Sequence, residues 1–532
     1  MQDAGRVSSV SVTALRHVGK ALSICLRRMR LASLVLAVGG TAAADPAFVD
    51  RSAGALGQHA YIGGWEHFVG GGVAVFDCNG DGRSELLAAG GDAPMRLFIN
   101  VTEEPGAPLR FRAGELPDIT GTTGAYALDI DGDDALDLAV LRVGPNLLLQ
   151  GDGACGFTDV TERWGFAEGA AWSTAFSATW EKGFERPTLV VGNYVDRSAP
   201  DGPFGACAPN ELHRPAAGGY APPVLLKPGF CALSMLISDW QRTGSPELRI
   251  SNDRHYYLRG GREQMWRLSP LAERREEDGW PTLSIWGMGI ASGDIDGNGW
   301  PDVMLTSMGD QVLMLNEEGE LRAAPYEIGT YAQRPHAGDD GRPSTGWHAE
   351  FGDVDNDGRL DLFIAKGNVD QMPSNAMADP NNLLLQRADG AFEEVSVAAG
   401  VATKARARGA ALADLDGDGR LDIVVVNRRA PMELWQNRHA SAGNWLAVDL
   451  RAPPPNTRGV GAWVEVRTGS RVQAREVTVG GGHAGGQSGP MHFGLGSAEM
   501  AEVRVLWPGS DWSAWRPLEI NRRHILRPKD GP

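Results

Sequence analysis

One short acidic motif recurs along the chain, and its residue types and spacing point to metal binding. Its clearest copy runs from Asp414 to Asp422, with aspartates at positions 1, 3, 5 and 9 and a glycine at position 6. Side-chain oxygens in this number suit Ca2+, which takes six to eight hard oxygen ligands at about 2.3–2.6 Å. The glycine permits the sharp turn that brings them together. The motif therefore predicts a calcium loop in which position 7 adds a backbone carbonyl oxygen.

Five copies keep most of the acidic positions and predict about five Ca2+ sites. The predicted metal ligands, loop by loop, are Asp77, Asn79, Asp81 and Glu85; Asp129, Asp131, Asp133 and Asp137; Asp294, Asp296, Asn298 and Asp302; Asp353, Asp355, Asp357 and Asp361; and Asp414, Asp416, Asp418 and Asp422. These loops hold 18 carboxylates, so they account for much of the formal net charge of −17. Acidity with this local origin favours metal binding and argues against nucleic acid or an anionic membrane as partner.

The elements around the motif distinguish it from an EF-hand, which carries a bidentate Glu at position 12 and lies between two helices. Position 12 is apolar here, as in Val425 and Ile364, and it falls in strand-like runs such as Leu421-Asp-Ile-Val-Val-Val-Asn427. We therefore expect the acid at position 9 to close each loop and a β-strand to leave it.

The spacing of the motif predicts the fold class. The first aspartates of successive loops lie 52, 165, 59 and 61 residues apart, and the long gap contains degenerate copies around Thr179 and Asp239. This makes seven units of about 50–61 residues, a period typical of four-stranded propeller blades. The sequence predicts an all-β fold, a seven-bladed β-propeller with calcium-binding loops over residues 45–440, followed by a small C-terminal β-domain.

The repeated motif resembles the FG-GAP/VCBS repeat of integrin-type seven-bladed β-propellers. Glycine-containing apolar lead-ins such as residues 70–76 and 288–293, and follow-on strands such as residues 96–100, fit that family as well. The resemblance covers roughly residues 55–440. It implies a calcium-stabilised propeller whose loop face or central funnel binds a protein or glycan partner.

The acidic repeat stops after about Asn437, and the chain changes character. Residues 444–528 alternate like a small β-domain and contain a glycine-rich stretch, residues 480–496, that ends in His492-Phe-Gly-Leu-Gly496. This segment resembles the ASPIC/UnbV domain, to which we assign residues 441–532; its pairing with FG-GAP repeats is typical of the cartilage acidic protein-like family. A hydrolase built from Ser488, His483 and His492 is one hypothesis for the loop. We favour a glycine-rich hairpin that packs the domain on the propeller.

Residues 1–44 read as a secretory signal peptide. Arg27–Arg30 supplies three basic residues, residues 31–38 form a short apolar core, and an Ala-x-Ala cleavage site precedes Asp45. Met29 is an alternative true start. No other stretch approaches the roughly 20 apolar residues of a transmembrane helix. The sequence therefore predicts a secreted or periplasmic protein without a membrane span.

The cysteines agree with export. Cys207 and Cys231 bracket a Pro/Gly-rich insertion at residues 195–231, and we predict a disulfide between them, as expected in an oxidising compartment. Cys78 and Cys155 remain open at this point, because Cys78 lies inside a metal loop and is equally compatible with a buried thiol.

The sequence predicts a binding, adhesion or scaffold module for a protein or glycan partner, and assigns no catalytic residue. The alternative is a secreted carbohydrate-active or hydrolytic enzyme, for which Asp253, His255 and Tyr256 form the candidate ligand site because they stand in the most unusual polar cluster. A third hypothesis is a periplasmic accessory factor that helps to assemble another enzyme.

Overall fold

The computed structural model describes residues 46–166, 169–200, 205–253, 258–338, 340–440 and 442–528. These residues form an all-β fold with two short helices, α1 (Ser52–Ala55) and α2 (Ser396–Ala399). The prediction of an all-β fold is confirmed. The predicted signal peptide, residues 1–44, lies outside the described residues.

The first thirty strands belong to the repeat region. In chain order they are β1 (Phe48–Asp50), β2 (Val73–Phe76), β3 (Glu85–Ala88), β4 (Arg96–Asn100), β5 (Phe111–Ala113), β6 (Thr122–Leu128), β7 (Asp137–Arg142), β8 (Leu147–Gly151), β9 (Phe157–Asp159), β10 (Ser173–Thr179), β11 (Thr188–Asn193), β12 (Asn210–His213), β13 (Pro215–Ala216), β14 (Gly219–Tyr220), β15 (Val224–Leu226), β16 (Ala232–Ser238), β17 (Glu247–Asn252), β18 (Gln264–Leu268), β19 (Leu271–Glu273), β20 (Gly287–Gly293), β21 (Asp302–Ser307), β22 (Val312–Glu317), β23 (Glu320–Ala323), β24 (Gly346–Gly352), β25 (Asp361–Lys366), β26 (Asn382–Gln386), β27 (Phe392–Glu394), β28 (Arg406–Ala413), β29 (Asp422–Arg428) and β30 (Glu433–Asn437).

In the described part of the chain, 28 of these strands form seven antiparallel sheets of four strands, and β13 and β14 form a separate hairpin. Sheets 1 and 2 are β2–β5 and β6–β9, sheet 3 is β10, β11, β12 and β15, and sheets 4, 5 and 6 are β16–β19, β20–β23 and β24–β27. Sheet 7 contains β28–β30 and, as its outer strand, β1 from the beginning of the described chain. Each sheet therefore corresponds to one unit of the sequence repeat, and the last is completed by the N-terminal strand.

The first strands of the sheets form a closed ring. Each packs beside the first strand of the next sheet, and β28 packs beside β2. Every residue of β6, β10 and β16 is buried. Apolar layers fill the space between neighbouring sheets, for example where Tyr126 of sheet 2 meets Phe176 of sheet 3 with ring centroids 5.1 Å apart. The architecture is propeller-like.

Eight further strands follow the seventh sheet: β31 (Asn444–Leu450), β32 (Trp463–Thr468), β33 (Arg471–Glu476), β34 (Gln487–Ser488), β35 (Met491–Gly496), β36 (Ala501–Leu506), β37 (Arg516–Leu518) and β38 (Arg522–Leu526). Seven of them form two sheets, β35-β31-β38 and β33-β32-β36-β37, which share one apolar core. We call this two-sheet unit the C-terminal domain. The exception, β34, pairs in parallel with β2 of sheet 1.

A glycine-rich segment, residues 479–488, which we call the Gly loop, runs through the middle of the ring. It makes backbone pairs with five of the seven first strands, those that contain Val75, Ala125, Ala178, Leu236 and Ile290. Side-chain hydrogen bonds reach the remaining two, at His348 and Leu412. The funnel between the sheets is thus largely occupied by the chain itself.

Two disulfides are present among the described residues. Cys207–Cys231 confirms the predicted pair. The prediction that residues 195–231 are an insertion is wrong, because they contain β12 and β15, the third and fourth strands of sheet 3. Cys78–Cys155 joins the first metal loop to the end of sheet 2, with the Cα atoms 4.9 Å apart. This resolves the open question about Cys78, which is not a free thiol.

Across the described residues, the helices are all too short or too polar to cross a lipid bilayer.

Candidate metal centres and the domain that covers them

The five acidic loops share one backbone shape. Each joins the first and second strands of its sheet, and positions 4 and 6 have positive φ angles, between 58° and 90°. The sequence predicted the left-handed residue at position 6 but not the one at position 4. Asn356 takes position 4 in one loop and Asp134 takes position 6 in another, two residue types that tolerate this region better than most.

The position-1 aspartate organises each turn. In all five loops its carboxylate accepts a hydrogen bond from the backbone N–H at position 6, over 2.7–3.0 Å. Because the chain doubles back on this carboxylate, the side chains at positions 1 and 3 are brought toward the same point. The turn is therefore built by the first candidate ligand itself.

The position-9 acid ties the loop to the rest of its sheet. One of its oxygens accepts the backbone N–H at position 2, over 2.7–3.0 Å in all five loops. In four loops the other oxygen accepts a backbone N–H from the third strand, over 2.7–2.9 Å. This acid thus has a structural role in addition to its predicted role as a ligand.

Four loops bring three carboxylates together so that one oxygen from each lies within 4.8 Å of the others. The clusters are Asp129, Asp131 and Asp137; Asp294, Asp296 and Asp302; Asp353, Asp355 and Asp357; and Asp414, Asp416 and Asp422. Asp133, Asp361 and Asp418 stand outside these clusters, and Asp418 pairs with Arg420.

Burial makes these clusters electrostatically unfavourable without a cation. It raises the pKa of Asp137 to about 8, and the pKa of Asp294, Asp302 and Asp414 to about 7. The neighbouring carboxylates of each loop add to the shift through like-charge repulsion. A divalent ion in each cluster would reverse this balance, because it stabilises the ionised form.

The residues present fit a bound cation. The Oδ1 atoms of Asp131 and Asp294 are buried and accept no hydrogen bond from a described residue. All donors in the four clusters are carboxylate oxygens, the ligand type that Ca2+ and Mg2+ prefer. Asp129, Asp131 and Asp137 would hold the ion of sheet 2, and the three members of each other cluster would do so in sheets 5, 6 and 7.

The first loop differs from the other four. Asp81 is exposed, and among the described residues Asp77 and Asp81 do not join Glu85 in a three-carboxylate cluster. Glu85 instead lies beside the Cys78–Cys155 disulfide, whose sulfurs are oxidised and unavailable as thiolate ligands. The case for a metal at Asp77, Asn79, Asp81 and Glu85 is therefore weaker than for the other four loops.

In the degenerate loop of sheet 4, an arginine side chain supplies a positive charge. Asp239 holds the same turn through the N–H groups of Thr243 and Gly244, at 2.9 and 2.8 Å. The guanidinium of Arg274 donates to Glu247 at position 9, over 2.7 Å, and to the amide oxygen of Gln241 at position 3, over 2.8 Å. An internal positive charge thus binds the oxygens that would face a metal in the other loops.

The degenerate loop of sheet 3 has a different register from the one expected. Thr179 pairs with Thr188, as the residue before position 1 pairs with position 9 in the other loops, so Trp180 occupies position 1. Here Arg214 pairs with Glu181 over 2.8 Å. Neither arginine was found from the sequence, because both lie outside the motif and reach it only through the fold.

The C-terminal domain lies directly on the metal loops. Thr457 donates to the carboxylate of Asp129, and the backbone N–H of Gly443 donates to the Asp355 carbonyl over 3.1 Å. A Cβ atom on Gly494, in the glycine-rich turn that the sequence singled out, would overlap the carboxylate of Asp353. Glycine at this position therefore permits the close approach of the domain to a metal loop.

The histidines of the Gly loop region serve packing. His483 is fully buried, where its ring lies 2.9 Å from the Met288 carbonyl oxygen and 3.2 Å from the Gly70 N–H, and packs edge-on against Trp347. His492 lies elsewhere, with Nε2 3.0 Å from the Gly419 carbonyl oxygen. Ser488 pairs with β2. The structure thus gives the three residues separate packing roles, not those of a hydrolase.

Of the predicted ligand site in sheet 4, only Asp253 is described. It is buried, accepts a hydrogen bond from the hydroxyl of Tyr194, and donates its backbone N–H to the Cys231 carbonyl over 3.1 Å. His255 and Tyr256 lie outside the described residues.

Comparisons with known proteins agree with both sequence resemblances. Residues 452–532 match the family model described as ASPIC and UnbV, and residues 77–140, 294–364 and 353–425 match the FG-GAP-like repeat. Cartilage acidic protein 1 of Mus musculus is 29% identical over 164 residues, which cover 29% of this chain and 24% of the mouse protein. The Xenopus tropicalis protein is 24% identical over 229 residues, covering 42% of this chain and 34% of the relative. The alignments thus span between a quarter and about a third of these relatives' length.

Among solved structures, the BP39L lectin from Burkholderia pseudomallei superposes with a TM-score of 0.43 at 10% identity, covering 84% of this chain and 99% of the lectin. The sequence matches are the informative ones. The chain carries FG-GAP-like repeats followed by an ASPIC and UnbV domain, and part of it is similar in sequence to cartilage acidic protein 1.

Proposed function

We propose that this protein is an exported, calcium-stabilised seven-bladed β-propeller that acts as a binding or scaffold module for a protein or glycan partner. The observation that carries the proposal is one carboxylate cluster repeated on four loops at corresponding positions in four sheets. A single acidic cluster is common on protein surfaces, whereas four copies in register with a sequence repeat, each with at least one buried carboxylate, favour a shared ligand.

Calcium is the cation that we propose for these loops. The clusters offer hard oxygen donors in short, irregular turns, a geometry that Ca2+ accepts and that the octahedral demand of Mg2+ disfavours. The role is structural: the ion joins carboxylates that would otherwise repel one another across the turn between two strands. Sites of the affinity usual in extracellular modules would each add roughly 0.4–1.4 kcal/mol at millimolar calcium.

Seven sheets whose first strands form a ring support seven blades, with β1 closing the last. Export is supported by the two disulfides, which persist in oxidising compartments. We therefore propose seven blades and export together with calcium binding.

We propose that the partner binds the end of the propeller opposite the metal loops. The metal-loop end is covered by the C-terminal domain, and the Gly loop fills the funnel. The opposite end is formed by connections between second and third strands, whose described parts include residues 194–200, 205–209 and 367–381. Long loops on a rigid scaffold are common binding surfaces. On the described residues, nothing specific favours the enzyme hypothesis.

The test is a thermal unfolding experiment in calcium, magnesium and chelator, with the bound metal counted by mass spectrometry of the native protein. We expect at least four bound calcium ions and a rise in Tm that magnesium does not reproduce. Asp355→Asn should lower the Tm in calcium but leave it unchanged or raised in chelator, because it removes a repulsive neighbour of Asp353.

The matched control is Asp511→Asn, which changes an exposed aspartate outside the five metal loops. It should not affect the Tm in calcium or in chelator. An equal loss of Tm for Asp355→Asn in calcium and chelator would contradict the metal assignment. The partner is then sought with glycan arrays and pull-downs, and substitutions at the proposed partner end should abolish capture.

A further inference from the structure

A cavity of about 520 Å³ lies between the metal-loop ends of the sheets and the C-terminal domain. Residues of three metal loops line one side, and β31, β33 and β35 line the other. Its volume falls within the roughly 300–1,000 Å³ of small-molecule sites, which occur preferentially where domains meet.

Arg475 of β33 is the most unusual group in this lining. No hydrogen bond or ion pair joins its guanidinium to another described residue, and its Nη2 atom is buried without a partner. Its ring neighbour is Phe493, whose centroid lies 5.1 Å from the guanidinium carbon. The carboxylates of Asp353 and Glu350 act on this charge electrostatically, but neither accepts a hydrogen bond from it. A guanidinium carries five N–H donors, so those of Arg475 are available to an anion supplied from outside the chain.

Three further N–H groups of the same lining lack acceptors. They are Nε1 of Trp180, Nε of Arg458 and Nε of Arg523, all buried. The other guanidinium nitrogens of Arg523 are used, by the Gly82 carbonyl at 2.9 Å and the Asp449 carboxylate at 2.8 Å. The unpartnered donors thus lie in one cavity and come from both the propeller and the C-terminal domain.

Three acids of the lining that lie outside the metal loops, in contrast, already have hydrogen-bond donors. Glu476 accepts hydrogen bonds from the Ser238 hydroxyl at 2.6 Å and the Asp239 N–H at 2.9 Å. Glu350 accepts the Leu412 N–H at 3.1 Å, and Asp449 pairs with Arg451 and Arg523. The remaining acids of the lining, Asp77, Asp129 and Asp414, belong to the metal loops. Outside those loops the cavity leaves N–H donors unpaired, so a ligand that fits it is rich in hydrogen-bond acceptors.

We propose that this cavity binds a small organic anion, whose carboxylate, phosphate or sulfate group is held by Arg475. Trp180 and Trp445 also line the cavity and provide apolar surface for the organic part of the molecule. The site lies at the opposite end of the propeller from the proposed partner surface, and it does not depend on the proposed function.

Isothermal titration calorimetry with four hexoses tests the proposal, because the sugar stays constant while the oxyanion changes. The probes are glucose 6-phosphate, glucose 6-sulfate, glucuronate and neutral glucose, at constant ionic strength. We expect at least one anionic sugar to bind and glucose not to bind. Arg475→Gln should weaken that binding at least about 10-fold, the effect of losing a charge-assisted hydrogen bond.

Arg322→Gln is the matched control. Arg322 is an exposed arginine that pairs with Glu317 and does not line the cavity, so its substitution should leave binding unchanged. Trp180→Phe is a second variant, which keeps an aromatic side chain but removes one unpartnered N–H, and it should also weaken binding. This variant tests the proposal if Arg475→Gln does not fold. Failure of all three anionic sugars to bind more tightly than glucose would overturn the proposal, as would equal binding by wild type and the folded cavity variants.

Discussion

The position-9 carboxyl shows how one residue links the metal loop to the sheet. In sheet 2, Asp137 accepts N–H groups from Ile130 within the loop and from Gly151 at the end of the third strand. It is fully buried. Both oxygens still have lone pairs for a metal. Loop and strand therefore share one carboxylate, which would also bind the proposed ion, and its protonation affects the stability of the metal-free protein.

These carboxyls predict an inverted pH dependence of stability. Burial raises the folded-state pKa of Asp137 from 3.8 to about 8, so the folded state holds its proton more tightly than the unfolded state. Stability is then greatest at low pH and falls as pH rises to about 8. Buried histidines such as His492, whose pKa is lowered from 6.5 to about 4, act oppositely below pH 6.5. The window in which the carboxyls act alone is therefore about pH 6.5–8.

In chelator we expect the Tm to fall between pH 6.5 and 8, as measured by calorimetry. Each fully shifted carboxyl contributes up to about 1.4 kcal/mol per pH unit. In calcium the slope should become smaller or reverse, because metal binding requires ionised ligands and releases protons. A Tm in chelator that rises across this window would contradict the assignment of buried, protonated loop carboxyls.

At the scale of single residues, the sequence predicts the candidate ligands of the metal loops but not their contacts with the rest of the sheet. Positions 1, 3, 5 and 9 follow from the spacing of Asp and Asn, since the donors are local to the loop. The third-strand N–H at Gly151 is 14 residues from Asp137, and Arg274 is 27 residues from Glu247. Neither contact has a local sequence signal. They arise only when the sheet has formed.

At the scale of elements, the Gly loop is the piece that joins the C-terminal domain to the ring. Its glycines have a steric reason: a Cβ atom on Gly485 would overlap the backbone of Val73 in β2. The ring strands also need glycine where they face the Gly loop, because a Cβ atom on Gly72 or Gly124 would overlap the carbonyl oxygen of Ala484. Backbone packs against backbone here, which explains why the segment contains so little side chain.

Gly485→Ala should therefore destabilise the protein by roughly 1–3 kcal/mol, as overpacking of a close contact does. The free energy of unfolding is measured by urea denaturation. Gly489→Ala is the matched control four residues on, where an added Cβ would have only the Ser84 hydroxyl at 3.9 Å as a neighbour. Equal stability of the two variants would mean that the Gly loop yields easily and is not a rigid plug.

The whole molecule is the scale at which the sequence is least informative. The repeat period predicts the seven sheets, and the change of composition after Asn437 predicts a separate domain. The sequence does not predict that this domain covers the metal loops and fills the funnel, because the contacts join residues that are hundreds of positions apart, such as Asp129 and Thr457. Because the C-terminal domain covers the metal-loop end of the propeller, we propose the partner surface at the opposite end.

This arrangement predicts that the propeller and the C-terminal domain unfold together. The Gly loop contacts the first strands of all seven sheets, and the domain contacts the metal loops, so removing the domain exposes both the funnel and the carboxylate clusters. Hydrogen exchange measured across a denaturant series should show β31–β38 losing protection at the same concentration as the first strands of the sheets. Earlier loss in β31–β38 alone would mean that the domain detaches before the propeller unfolds, and the metal loops would then be open surfaces in the native ensemble.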